Sequence, residues 1–215
     1  MNIPDMFTPE FFEKEILKTN EKIENFFSGR VRLSIFRSGG GLYSPESSLP
    51  VYVIQSKKFD EKIFKINDKP FKVDLFKEYF IQPNLLSNIK TNNKILNVIG
   101  SIYANENELD NCILLNDKRN VTEFLNGNIF IVNEKKIKTP LLSSGCLNGI
   151  MRKKIIELIK TKSNLEIEEI VISPFELMSS DEIWLTNSIS GIVAVSDYRK
   201  KKFSNEIAKE FVLGA

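Results

Sequence analysis

Between Pro140 and Arg152 the chain passes from a loop of small residues, Ser143-Ser144-Gly145-Cys146, through Leu147-Asn148-Gly149. It then runs straight into an amphipathic segment, Ile150-Met151-Arg152-Lys153-Lys154-Ile155-Ile156-Glu157-Leu158. A glycine at the mouth of a helix lets the backbone turn tightly, and the first helical turn presents N–H groups that no intrahelical carbonyl takes up. The helix dipole adds positive potential at the same place. The junction is a candidate cradle for a phosphate or another anion.

What the chain lacks narrows the remaining chemistry. Its 215 residues include no histidine. That removes a Ser-His-Asp triad, a Cys-His dyad and almost every zinc site, so no metal is expected. Proton transfer in an enzyme of this composition falls to Lys, Tyr, Asp, Glu or a cofactor. Thirty basic residues against 28 acidic ones leave a formal charge of +2, which does not describe an electrostatic nucleic-acid binder. The one basic run, Arg199-Lys200-Lys201-Lys202, reads as a solvated loop or helix end. Cys112 and Cys146 make no disulfide framework and suit a reducing compartment. Met1-Asn2-Ile3-Pro4-Asp5-Met6 has no signal-peptide pattern, and no apolar window is long enough to span a membrane. The expectation is a soluble, cytoplasmic chain with no nucleic-acid or membrane partner.

The residue pattern predicts an α+β fold in two parts. Thr8-Pro9-Glu10 is a helix start, and Phe12, Ile16, Ile23 and Phe27 recur at helical spacing toward Gly29. Val31, Leu33 and Ile35 alternate with Arg32 and Ser34 as a half-buried strand. Leu49 to Gln55 and Val73 to Phe76 read as the next two strands. Gln82-Pro83-Asn84 is the expected boundary, giving domains over 1–82 and 83–215. The second part opens with a helix around Thr91 to Ala104, with an apolar stripe of Ile95, Val98, Ile99 and Ile102. Strands are predicted at Cys112 to Leu115, Val121 to Glu123, Asn128 to Val132 and Lys136 to Thr139. After the helix that begins near Met151 come a strand at Glu166 to Val171 and a capping box at Ser173-Pro174-Phe175-Glu176. Strands at Ile183 to Thr186 and Gly191 to Val195 and a helix at Asn205 to Leu213 complete the pattern. Short strands interleaved with few helices suggest a barrel-like α+β domain rather than a doubly wound parallel sheet.

Four pieces of the second part resemble the class IV aminotransferases, the fold-type IV pyridoxal-phosphate enzymes. That family includes branched-chain and D-amino-acid aminotransferases and aminodeoxychorismate lyase. The pieces are Asn88-Ile89-Lys90-Thr91-Asn92-Asn93; Asn120-Val121-Thr122-Glu123 with Asn128-Ile129-Phe130; Leu147-Asn148-Gly149-Ile150-Met151-Arg152; and Glu176-Leu177 through Asp181-Glu182-Ile183-Trp184-Leu185-Thr186-Asn187-Ser188. They stand in the family's order and at its approximate spacing. The resemblance implies a small α+β domain, incomplete here, followed by a larger pseudo-barrel domain that binds pyridoxal 5′-phosphate.

The resemblance also implies roles. Lys90 would be the Schiff-base lysine, placed after Leu85, Leu86 and Ile89 where burial or nearby positive charge lowers a lysine pKa. Lys94 is the second candidate. Glu123 would face the pyridine nitrogen and keep it protonated, so that the ring accepts electrons from the substrate Cα. The N–H groups of Ile150 and Met151, the Ser188 hydroxyl and the Ile189 N–H would hold the phosphate. Met151 replaces the family's threonine, which removes one hydroxyl donor but no backbone donor. Arg30-Val31-Arg32-Leu33 and Arg37-Ser38-Gly39-Gly40-Gly41-Leu42-Tyr43 resemble the strand and loop over the family's active site. Arg32 would pair there with a substrate carboxylate.

The implied activity is transamination of a branched-chain-like amino acid, with small amino and keto acids as substrates and a homodimer as the assembly. The alternatives are the aminodeoxychorismate lyase reaction of folate synthesis and a catalytically inactive fragment. The family carries a Gly-rich Asp-Gly-x-Phe-Glu strand and a His-x-x-Arg-Leu segment ahead of the position of Thr8, and neither occurs in this chain. An N-terminally truncated chain with weakened cofactor retention and little activity is the expectation.

Overall fold

The computed structural model describes residues 3–23, 29–59, 64–162 and 164–213. They fall into two compact units, Met1–Ile63 and Phe64–Ala215. In the first unit, helix α1 (Pro9–Ile23) starts where the hydroxyl-Pro-acid pattern predicts. The Phe11 N–H donates to Thr8 Oγ1 at 3.2 Å, filling one of the orphan positions of the first turn. Strands β1 (Gly29–Arg37) and β2 (Pro50–Lys58) pair antiparallel, with Leu33 opposite Ile54. The rings of Phe7, Phe11 and Phe12 gather edge-on around Tyr52 of β2, a geometry that puts ring edges against ring faces. Phe27, expected in the α1 stripe, lies outside the described residues.

The second unit is built on one ten-stranded sheet. Strands β3 (Lys72–Ile81) and β4 (Asn111–Asn116) run parallel, joined by helix α2 (Ile95–Glu106). Strands β5 (Val121–Phe124), β6 (Gly127–Asn133) and β7 (Lys136–Pro140) follow as an antiparallel meander. Helix α3 (Ile150–Lys162) carries the chain to β8 (Glu166–Ile170), parallel to β7. Helix α4 (Pro174–Ser179) has the full capping box, with Ser173 and Glu176 each accepting from the other's end of the turn. Strand β9 (Glu182–Asn187) then pairs with both β6 and β10 (Gly191–Ala194), the two-residue strands β11 (Asp197–Tyr198) and β12 (Lys201–Lys202) add to the sheet beside β3, and helix α5 (Glu206–Leu213) ends the unit.

Alternation along the strands sorts the core. Ile129, Ile131, Ile183 and Leu185 point to one face and join Val73, Ile113 and Tyr198 in a single cluster, as in a sheet curled around its core. Phe130, Val132, Trp184 and Ile192 point to the other face, where α3 and α5 cover them with Ile155, Ile159 and Ala208. Among the described residues no helix is long and apolar enough to cross a membrane.

Two expectations shift. β3 pairs with β4 and so belongs to the sheet of the second unit, and the compact units divide at Ile63/Phe64 rather than near Pro83. Of the expected apolar stripe of α2 only Ile99 packs on the core: Ile95, Val98 and Ile102 are more than half exposed. The packed face carries Leu96, Ile99, Tyr103 and Ala104. Gly100 explains the choice, since a Cβ there would lie 2.5 Å from Leu125 Cδ2. The helix rests on the face where its small residues allow close approach, and apolar content alone did not select it.

Candidate functional site

Three adjacent strands align a polar row. Glu123 of β5 stands opposite Asn128 of β6, which stands opposite Thr186 of β9. All three are buried, at 8%, 4% and 1% exposure. Strand alternation puts Asn128 and Thr186 on the face of Phe130 and Trp184 rather than in the inner core.

The loop between β7 and α3 crosses this row and is fastened to it. The Leu147 N–H donates to Glu123 Oε2 at 2.7 Å, and Asn128 Nδ2 donates to the Leu147 carbonyl at 2.7 Å. Two further asparagines take up loop carbonyls. Asn88 Nδ2 donates to Leu142 O at 2.9 Å and Cys146 O at 2.7 Å, while Asn116 Nδ2 donates to Ser144 O at 3.2 Å. Gly145 adopts φ +99°, the left-handed region, at the end of the short turn Leu142–Ser144.

Gly149 is needed for a different reason. A Cβ at this position would lie 2.2 Å from Asn128 Oδ1, so only glycine lets α3 begin this close to the polar row. The first intrahelical bond runs from the Lys153 N–H to Gly149 O at 3.1 Å. The Ile150 and Met151 N–H groups find no carbonyl partner among the described residues. The loop thus turns its carbonyls toward asparagine amides and leaves the helix-start amides open, which is the arrangement an anion cradle requires. Arg152 anchors the first turn from behind, its buried Nη2 donating to Pro140 O at 2.9 Å and to Glu169 Oε2 at 2.6 Å.

Burial pushes the Glu123 carboxyl above the ordinary glutamate value. The Leu147 amide and the ammonium groups of Lys94 and Lys90 act in the opposite direction without cancelling it. Both lysines therefore lie within electrostatic reach of this carboxylate, with Lys94 exerting the larger effect. Lys94 is half-buried and Lys90 is exposed. The apolar enclosure that the sequence suggested for Lys90 is not formed: Leu85 is 93% exposed, Leu86 58% and Ile89 44%. The turn that carries them is closed by its own bonds, Asn84 Oδ1 accepting from the Leu86 N–H and Ser87 Oγ from the Asn84 N–H, and this leaves those side chains in solvent.

The other expected contacts are distributed unevenly. Ser188 is exposed. The Ile189 N–H is already donated to Asn187 Oδ1 at 2.9 Å, which also accepts the Ser190 N–H at 2.8 Å, so this turn uses the amide internally. The Thr186 hydroxyl on β9 is buried and has no hydrogen-bond partner among the described residues. Arg32 is an exposed residue of β1 in the first unit. Sequence reasoning missed Asn88, Asn116, Asn128 and Thr186 as contributors. Asn88, Asn128 and Thr186 stand inside the motif segments, but asparagine and threonine have no pattern that distinguishes a loop clamp from a surface residue.

Residues 1–198 match the family model described as amino-transferase class IV. Over 173 residues the chain is 28% identical to aminodeoxychorismate lyase of Vibrio harveyi, a match that covers 79% of this chain and 63% of that protein. It is 38% identical over 94 residues to a probable branched-chain-amino-acid aminotransferase of Thermotoga maritima, covering 44% of this chain and 34% of the relative. The chain thus spans less than two thirds of the length of these relatives. Its fold superposes on 4-amino-4-deoxychorismate lyase of Pseudomonas aeruginosa with a TM-score of 0.80 at 19% identity, covering 99% of this chain and 77% of that one. With the match extending over nearly the whole sequence, the chain belongs to the class IV aminotransferases, whose cofactor is pyridoxal 5′-phosphate.

Proposed function

We propose that this chain carries the pyridoxal-phosphate site of an enzyme that acts at the Cα of a small amino-bearing substrate, with Lys90 as its catalytic residue. The observation that carries the reading is the buried Glu123 carboxylate, fastened to the start of the Gly149 turn through the Leu147 amide and reached electrostatically by Lys94 and Lys90. The residues present fit the cofactor. A turn that a Cβ would fill, open amides at Ile150 and Met151, and an unpartnered buried Thr186 hydroxyl suit a phosphate. A carboxylate with a raised pKa suits a protonated ring nitrogen, which would return it to the ionised state.

When bound, pyridoxal phosphate supplies an aldehyde that a lysine amine captures with loss of water, and a ring that takes up the electron pair left when a Cα bond breaks. Lys90 would be the amine that holds the cofactor aldehyde and the base that moves the Cα proton of the substrate. Glu123 would hold a proton at the ring nitrogen. The Ile150 and Met151 amides, the Ser188 hydroxyl and the Ile189 amide would hold the phosphate. For Ile189 this requires its N–H to leave Asn187. Arg32, in the first unit, is the residue that the family resemblance assigns to a substrate carboxylate. The working assembly is a homodimer in the cytoplasm.

Transamination of a branched-chain-like amino acid is the leading reaction, supported by the higher identity to the Thermotoga maritima relative. The lyase reaction on aminodeoxychorismate is the second reading, supported by the longer match to the Vibrio harveyi relative. Incubating the cofactor-loaded chain with leucine and 2-oxoglutarate, and separately with aminodeoxychorismate, tests both. Glutamate in the first mixture supports the transaminase, and pyruvate with 4-aminobenzoate in the second supports the lyase. Neither product, together with no borohydride-stable attachment of the cofactor to Lys90, would refute the reading.

A further inference from the structure

Lys90 lies in an irregular segment between the turn over residues 84–89 and the start of α2, so no helix or strand fixes its position. One tie on that segment lies two residues before Lys90, at Asn88. The Asn88 side-chain amide has two N–H donors in a rigid plane, and it spends them on two carbonyls of one loop, Leu142 and Cys146. The Asn88 main-chain carbonyl accepts the N–H of Asn148 at 3.2 Å, and Asn148 directly precedes Gly149. The path from Lys90 to the mouth of the anion turn is therefore two residues, one hydrogen bond and one residue.

The rest of the loop is held by other means. Glu123 and Asn128 fix Leu147 against the sheet, and Asn116 fixes Ser144. Those bonds set where the turn sits on the strands. The bonds of Asn88 set where the Lys90 segment sits relative to the turn. From this division we infer that Asn88 is a positioning residue: it holds the Lys90 amine at a fixed separation from the Ile150–Met151 amides, so that a molecule anchored by its phosphate presents its aldehyde to Lys90. This rests on the proposed roles of Lys90 and the Gly149 turn.

The test separates anchoring from capture. The full chain and its variants are loaded with pyridoxal phosphate, retention is measured by equilibrium dialysis, and attachment to Lys90 is measured by borohydride reduction followed by peptide mass analysis. In Asn88→Ala, retention is expected to stay within about threefold of the unaltered chain, while reduced label at Lys90 falls by about tenfold or more, the scale of a displaced reacting group. Asn116→Ala loosens the same loop without touching the Lys90 segment, and it is expected to lower retention and label in proportion. Asn88→Gln keeps the amide but moves it by one methylene. It is expected to lose label while keeping retention, and it decides the question if the alanine variant does not fold. Label in Asn88→Ala within about twofold of the unaltered chain, or a proportional fall like that of Asn116→Ala, overturns the role of Asn88 alone. Absence of label at Lys90 in the unaltered chain overturns the role of Asn88 and the proposed function together.

Discussion

Glu123 Oε2 accepts the Leu147 N–H at 2.7 Å, so a carboxylate buried on a sheet is bonded to the loop that opens the anion turn. The bond favours the ionised form and burial opposes it, and burial wins. Between the ordinary glutamate pKa and the raised folded value, the native state binds more protons than the unfolded one. Stability attributable to Glu123 is therefore full at acid pH and is lost as pH rises through that window. Glu123→Gln keeps an acceptor for the Leu147 amide and cannot ionise. Urea denaturation across pH is expected to give a flatter profile for the variant over this window; identical slopes in the two proteins would exclude the assignment.

Gly149→Ala should act on the turn itself. The new Cβ would lie 2.2 Å from Asn128 Oδ1, and moving that amide breaks its bond to the Leu147 carbonyl. Overpacking of this kind costs about 1–3 kcal/mol. Retention of pyridoxal phosphate is expected to fall about tenfold, a loss of about 1.4 kcal/mol, while binding of pyridoxal, which has no phosphate, changes little. Equal losses for the two compounds in dialysis would remove the phosphate from this turn.

Glu182 is a structural acid despite its place in the Asp181–Ser188 motif. Its two oxygens accept from Trp184 Nε1 at 2.8 Å, the Ile207 N–H at 2.8 Å, the Ala208 N–H at 3.1 Å and Ser204 Oγ at 3.3 Å. It thereby caps α5 from a neighbouring strand. Glu182→Ala leaves the Trp184 and Ala208 donors buried without an acceptor and is expected to lower stability by about 3 kcal/mol in urea titration. A loss below about 0.5 kcal/mol, the scale of an ordinary surface substitution, would show that α5 is held by packing alone.

The two thiols should be silent in the folded protein. Burial pushes Cys112 up to about 12 and Cys146 up to about 11, and both are fully buried. Almost no thiolate exists at neutral pH, and the reagent has no access. Iodoacetamide is expected to label Cys146 only as fast as the 141–149 loop opens, and faster in Asn88→Ala. Rapid labelling of Cys146 in the native unaltered chain would mean that the loop is not fastened as described.

Local chemistry made much of this protein legible before any contact was known. The hydroxyl of Thr8, the capping box at Ser173 and Glu176, and the short apolar run Ile129 to Val132 each act within a few residues, so the sequence alone determines them. The same holds for Gly149, where a tight entry into α3 was readable from the residues on either side. Contacts between segments far apart in the chain were not readable in this way. Ile95, Val98 and Ile102 have the spacing of a buried stripe, yet α2 turns them outward because Gly100 and Ala104 admit the closer approach to the sheet. The Ile189 amide looks open in sequence, and Asn187 occupies it. Asn88, Asn116 and Asn128 become clamps only because the sheet order brings β4, β6 and the Lys90 segment around one loop. Periodicity and capping are properties of a short stretch of chain. The identity of a donor's partner depends on which distant strand the fold places beside it, and only the tertiary structure decides that.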